Sequence, residues 1–202
     1  SSIPDTSDMD MMADTHSTIP LSWDDLPVTN PPDNFSSLEL ADIKAVLDRV
    51  KHPLTSLCMM EAYDKDYLSL FKKFLESKGR SYNENYFRNV SKDLEPIILQ
   101  LKYFYNRPRP SQIAPLYGIK LDALTLDTVD SPSYPSGHTM QAYVIGILLA
   151  KQFPDLSSDL IAISELISQS RVDAGVHFLS DVVFGRILSV YIAKGILDEN
   201  FA

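Results

Sequence analysis

Cysteine is nearly absent from this chain. Cys58 stands alone, so no internal disulfide braces the fold. Glycine is scarce, with seven in 202 residues. Long apolar runs are missing too. A spanning helix needs roughly 18 consecutive apolar residues. The longest run, Ala142 to Ala150, stops at Lys151. An integral membrane protein is therefore not expected. The opening Ser1-Ser2-Ile3-Pro4-Asp5 has neither a charged n-region nor an apolar h-region, so no signal peptide is expected. There is no initiator Met, which leaves processing open. The expected chain is soluble: periplasmic or secreted if a leader has been removed, cytoplasmic otherwise.

Positive charge is also in deficit. The net charge is −9, which argues against a nucleic-acid binder that grips phosphates. The deficit is local. Residues 1–35 carry seven Asp, five Pro and no Lys or Arg, and the first base is Lys44. This segment reads as an acidic, Pro-rich arm, flexible or wrapped on the body, that forms no amphipathic element. Asp8, Asp10, Asp14 and His16 are metal-ligand types, but a solvated arm is the plainer reading. Residues 36–202 form one ordinary domain, with nearly balanced charge. Apolar residues make up 45% of the chain and charged residues 22%, which excludes wholesale disorder.

The dominant period from residue 36 onward is helical. Ser36 and Glu39 have capping-box spacing. Ile43, Val46, Leu47 and Val50 then recur at i, i+3, i+4 and i+7. Tyr67, Leu70, Phe71 and Phe74 repeat the pattern, as do Phe184, Ile187, Leu188 and Tyr191, and these stripes read as core. Further helices are expected near 84–106, 138–152 and 156–171, with Pro96 interrupting or beginning one. Residues 119–129 are the one weak strand candidate. The fold class is all-α, a compact multi-helix bundle. A homo-oligomer is left open.

Three clusters stand out. The first is Lys102-Tyr103-Phe104-Tyr105-Asn106-Arg107-Pro108-Arg109-Pro110. Lys102 and Arg109, seven apart, return to one helix face, whereas Arg107 points elsewhere. The prolines place Arg109 just past a helix end. Taken alone, a basic helix C-terminus explains it. The second is Ser133-Tyr134-Pro135-Ser136-Gly137-His138-Thr139. A Pro-Ser-Gly turn entering a helix presents free N–H groups to an anion, yet an ordinary capped start fits equally well. It is not a G-x-S-x-G elbow, so a serine hydrolase is disfavoured. The third runs from Ser170-Arg171 through Gly175 and His177 to Asp181. His177 and Asp181 share a helix face, so the carboxylate can fix the imidazole tautomer and free the other nitrogen as nucleophile or base. A satisfied structural histidine is the plainer alternative.

Together the clusters supply three cations, a nest of donors, two histidines and an orienting carboxylate. That set suits a tetrahedral dianion held while a bond to phosphorus is made and broken. Arg offers a bidentate fork for its oxygens. No zinc spacing and no HExxH occurs, so a site without metal is expected.

The order Lys102…Arg109-Pro110, Pro135-Ser136-Gly137-His138, Ser170-Arg171…His177…Asp181 resembles the type 2 phosphatidic acid phosphatase (PAP2) superfamily at all eleven fixed positions. That superfamily includes bacterial class A nonspecific acid phosphatases and vanadium haloperoxidases. Tyr134, Thr139 and Gln169 favour the soluble class A branch; the lack of a cysteine pair and of a signal peptide departs from it. The resemblance implies three motifs converging on one pocket and a phosphatase acting on a small-molecule phosphate ester. His177 would become phosphohistidine, Asp181 would orient it, and His138 would be the general acid. Lys102, Arg109, Ser136, Gly137 and Arg171 would bind phosphate oxygens. It implies no cofactor, with vanadate an inhibitor. The alternatives are a haloperoxidase holding vanadate as cofactor, and a non-catalytic phosphate-binding protein. Specificity would come from residues 111–134 and from the arm.

Overall fold

A computed structural model describes residues 3–13 and 19–201. Among these the regular structure is helical, with no strand. In chain order the helices are α1 (Thr6–Met12), α2 (Ser37–Lys51), α3 (Leu57–Asp66), α4 (Leu68–Ser77), α5 (Glu84–Tyr105), α6 (Pro110–Ile113), α7 (Gly137–Gln152), α8 (Ser157–Asp173) and α9 (Leu179–Phe201).

Helix α7 is the axle. Its apolar residues run all round, and Met140, Ala142, Val144, Ile145 and Leu149 are buried between α8 and α9. A helix apolar on every side belongs inside a bundle. The main core adds Phe71 and Leu75 of α4, Leu94, Ile97, Ile98 and Leu101 of α5, and Phe184, Leu188 and Ile192 of α9. Small residues let the helices approach. A Cβ on Gly146 would lie 2.0 Å from Ser164 Oγ on α8, and one on Gly185 would lie 3.0 Å from the Ser136 carbonyl.

The caps follow local chemistry. Ser36 Oγ accepts from Glu39 N–H at 3.1 Å. The returning bond comes from Phe35 N–H to Glu39 Oε1, one residue before the cap itself. The C-terminus of α8 is pinned by buried Asp173, which accepts from Arg49 Nε and from the N–H groups of Leu54 and Thr55.

Four expectations need correction. Pro96 neither breaks nor begins a helix; α5 runs through it. It costs one backbone bond, to the Lys92 carbonyl, and Lys92 is exposed, so water can serve there. Residues 119–129 form no strand. Leu124 N–H makes a single ladder-like bond to the Ala174 carbonyl, and Leu121, Leu124 and Leu126 anchor the segment by side chain. The α9 stripe is half right: Phe184 and Leu188 are buried, but Ile187 and Tyr191 are 42% and 52% exposed. Because α9 has apolar residues on both faces, its period could not choose between them. Finally, the arm does form a helix. Asp5 caps α1, which lies along α5, with Tyr103 OH donating to Asp8 Oδ2 at 2.6 Å and Gln100 Nε2 to the Met12 carbonyl at 2.8 Å. Ile19 and Leu26 then enter the main core. Asp14 and His16 lie outside the described residues.

Candidate active site

Local backbone rules bring the first motif into position. Asn106, left-handed at φ 51°, ends α5. The two prolines keep the next residues extended, so Arg109 caps α6 and turns back across the end of α5. Lys102 lies on the last turn of α5, buried, with Nζ 2.8 Å from the Pro132 carbonyl. Ser136 caps α7, its Oγ accepting from Thr139 N–H. Its own N–H goes to the Asp181 carbonyl at 3.1 Å, and Ser136 itself, fully buried, is not among the residues that line the site's cavity. Gly137 is closely packed: a Cβ there would sit 3.1 Å from Ile98 Cγ2, which would have to give by a few tenths of an ångström, and 3.5 Å from Lys102 Cε. Gly175, left-handed at φ 75°, reverses the chain after α8 and carries it to His177. An L side chain would be strained there and would meet Val50 and Ala123.

These turns deliver Lys102, Arg109, Gly137, His138 and His177 to one cavity of ≈ 330 Å³. His177 does not share a helix face with Asp181 as its spacing suggested: it lies in the bend just before α9, and Asp181 reaches back to it from the first turn of that helix. His177 is buried, and its tautomer follows from its partners. Nδ1 lies 3.0 Å from Asp181 Oδ2, a carboxylate that accepts only, so Nδ1 carries the proton. Nε2 lies 2.9 Å from Arg109 Nη1, a pure donor, so Nε2 offers its lone pair. Burial, reinforced by Arg109, Lys102 and Arg171, holds the His177 pKa well below the ordinary imidazole value. Arg109 is anchored by the Ser131 and Val176 carbonyls, and burial lowers its pKa to about 10. Lys102 is likewise shifted well down, by burial and then by Arg109.

Arg171 stands behind the cavity wall at 1% exposure. Its Nη2 donates to Asp64 Oδ1 at 3.0 Å, while Nε and Nη1 are buried without a partner. Buried guanidinium N–H groups left unpaired are costly, and an anion would satisfy them. His138 Nε2 lies 3.1 Å from the Asp64 carbonyl and therefore donates, leaving Nδ1 bare. Burial, and next Arg171, push its pKa well below the usual value.

Three residues were not foreseen at the site. Arg107, expected to point elsewhere, is buried and bonds Asp181 Oδ1 at 2.7 Å. Ser133 donates to Asp181 Oδ2. Asp64, on α3, bridges Arg171, Thr128 and His138. No local pattern marks Asp64. For Arg107 the doubled Arg-Pro step was the one available signal. The cavity mouth is acidic: Asp5 at the cap of α1, Asp8 on α1, Glu95, Asp127 and Asp130 line it. Gln169, by contrast, faces Arg49 and Glu165.

Known proteins resemble this chain in sequence and in fold. Residues 93–198, more than half of the chain, match the PAP2 superfamily. A 57-residue stretch is 35% identical to an acid phosphatase of Zymomonas mobilis, covering 28% of this chain and 22% of that relative's length. The fold is similar to that of a transmembrane PAP2 type phosphatidylglycerolphosphate phosphatase from Bacillus subtilis. The TM-score is 0.53 at 21% identity, over 97% of this chain and 94% of that one. Here no helix among the described residues is long and apolar enough to cross a membrane. With the family match spanning all three motifs and more than half of the chain, the chain belongs to the PAP2 superfamily.

Proposed function

We propose that the chain is a phosphatase that hydrolyses small phosphomonoesters through a phosphohistidine on Nε2 of His177, without a metal. The observation that carries this reading is the state of His177: neutral, its Nδ1 proton fixed by Asp181, its Nε2 lone pair at a cavity floored by Lys102 and Arg109. In this reading residues 36–202 are the phosphatase domain and the arm lies over it.

The ester phosphate enters with its oxygens toward Lys102, Arg109, the Gly137 end of α7 and the two free N–H groups of Arg171. These charges suit the three equatorial oxygens of the transition state. Arg109 moves its donor from Nε2 to the phosphate, which frees the lone pair. Nε2 attacks phosphorus as the ester P–O bond breaks, and the leaving oxygen takes a proton from His138. The bound dianion raises the His138 pKa and so loads that proton. The new imidazolium rests against Asp181. Water then gives a proton to His138 and attacks phosphorus, releasing inorganic phosphate and neutral His177.

The test is phosphate release from a panel of esters, with rapid quench at neutral pH. Wild type should turn over, with label trapped on His177, and His177→Ala should abolish both. Vanadate should inhibit strongly as a mimic of the transition state. EDTA should have little effect. Label on Ser136 or Asp181, or activity lost to EDTA and restored by a divalent ion, would overturn the reading. Halide oxidation by peroxide with vanadate would replace it with a haloperoxidase.

A further inference from the structure

Asp181 has no exposed surface, yet its role requires a negative charge. Its Oδ2 accepts from His177 Nδ1, from Phe178 N–H at 2.8 Å and from Ser133 Oγ. Its Oδ1 is held by Arg107 Nη1 at 2.7 Å. Burial raises the Asp181 pKa, and Arg107 is the strongest influence opposing that rise. A protonated Asp181 could donate to Nδ1 against the Arg109 donor at Nε2, and the His177 tautomer would then no longer be set from both sides.

Arg107 is itself fixed on several sides. Nη1 also donates to Ser180 Oγ at 2.7 Å, and Nη2 to Asp42 Oδ2 at 3.2 Å, while Ser180 donates to Asp42. The guanidinium lies 3.8 Å over the Phe178 ring. Its backbone carbonyl accepts from Ser133 N–H at 2.8 Å, so the same residue also holds the second donor to Asp181. Arg107 takes no part in the cavity wall.

We propose that Arg107, braced by Asp42, is a positioning residue that holds the Asp181 carboxylate so that His177 keeps its proton on Nδ1 and presents Nε2 to the cavity; the inference rests on the phosphatase reading above. It assigns the two arginines of the Arg-Pro-Arg-Pro run opposite faces of one histidine. Arg109 meets Nε2 from the cavity, and Arg107 acts from behind through Asp181.

Two measurements decide it: the His177 tautomer by ¹⁵N NMR, and kcat separately from KM. Wild type should show Nδ1 protonated and Nε2 bare. In Arg107→Met the Nε2-protonated tautomer should gain population, and kcat should fall about 10- to 100-fold, the range typical when an outer-shell partner of a metal-bound histidine is removed. KM and inhibition by inorganic phosphate should hardly move. Arg107→Lys should restore the tautomer and most of kcat. If Arg107→Met does not fold, Arg107→Gln serves the same measurements and should lose kcat in the same way. A wild-type His177 protonated on Nε2, a folded neutral variant with wild-type kcat and tautomer, or a loss carried by KM and phosphate binding would each overturn the inference. If wild type releases phosphate from no ester, the phosphatase reading falls, while the tautomer measurements still decide on Arg107.

Discussion

At the scale of single residues, the two histidines are distinguished by what stands behind each. His177 has a carboxylate on its far nitrogen; His138 has a backbone carbonyl. A general acid matters in proportion to how badly the leaving group needs a proton. Positioned proton transfer is worth roughly 10²–10⁴-fold. His138→Ala should lose about that much in kcat/KM on an alkyl phosphate and clearly less on nitrophenyl phosphate. Equal losses on the two esters would make His138 a phosphate ligand instead. The same histidine gives a prediction for stability. Its folded pKa lies well below the ordinary imidazole value of 6.5, held down by burial first and then by Arg171. As pH falls below 6.5 the unfolded chain takes up a proton that the folded chain refuses, so stability drops. His177 acts in the same direction, whereas Asp181, raised by burial, acts oppositely above pH 3.8. The comparison therefore uses one variant. Between pH 7 and pH 5 the Tm of His138→Gln should fall less than that of wild type. Parallel curves would show that His138 ionises freely in the folded protein.

Between elements, the packing of α7 on α8 sets how firmly Arg171 and the Ser136 cap are held relative to each other. Gly146 and Ser164 meet at that crossing, and the Ser164 hydroxyl is held by the Ala142 carbonyl at 2.8 Å. Gly146→Ala gains helix propensity, about 1 kcal/mol, but drives a methyl into Ser164 Oγ, and overpacking costs about 1–3 kcal/mol. Alone it should destabilise. In a Ser164→Ala background the same change should be neutral or stabilising. Urea denaturation of the four proteins measures the coupling, and additive effects would show that the helices separate at no cost. The sequence shows why these elements exist: caps, stripes and Gly175 are local. It could not show that α5 would run through Pro96, since that depends on burial of Leu94, Ile97 and Ile98 around it.

For the whole molecule, the notable feature is a cationic floor beneath an acidic mouth. Asp5, which caps α1, and Asp8 within it face the cavity, and Tyr103 and Gln100 hold that helix in place. A dianionic ester must pass these carboxylates. The double variant Asp5→Asn/Asp8→Asn should raise kcat/KM for nitrophenyl phosphate several-fold at low salt. The gain should vanish near 1 M salt, where the screening length is about 3 Å. A gain independent of salt would point to a wider mouth rather than a weaker field.

The sequence by itself determined the helical class and the identities at the three motifs. Both are written in short-range patterns: apolar spacing along a helix, a proline pair, a Pro-Ser-Gly turn, a histidine and an aspartate four residues apart. It also determined that the N-terminal segment is acidic. Only the tertiary structure decided that Asp5 and Asp8 of this segment lie at the cavity, that Asp64 of α3 joins His138 to Arg171, and that Arg107 turns inward to Asp181. Arg107 and Asp181 are 74 residues apart, and Asp64 and Arg171 are 107 apart. Such pairings have no local signature. They arise because buried charges need partners, and which partner comes within reach depends on how α5, α8 and α9 pack around α7.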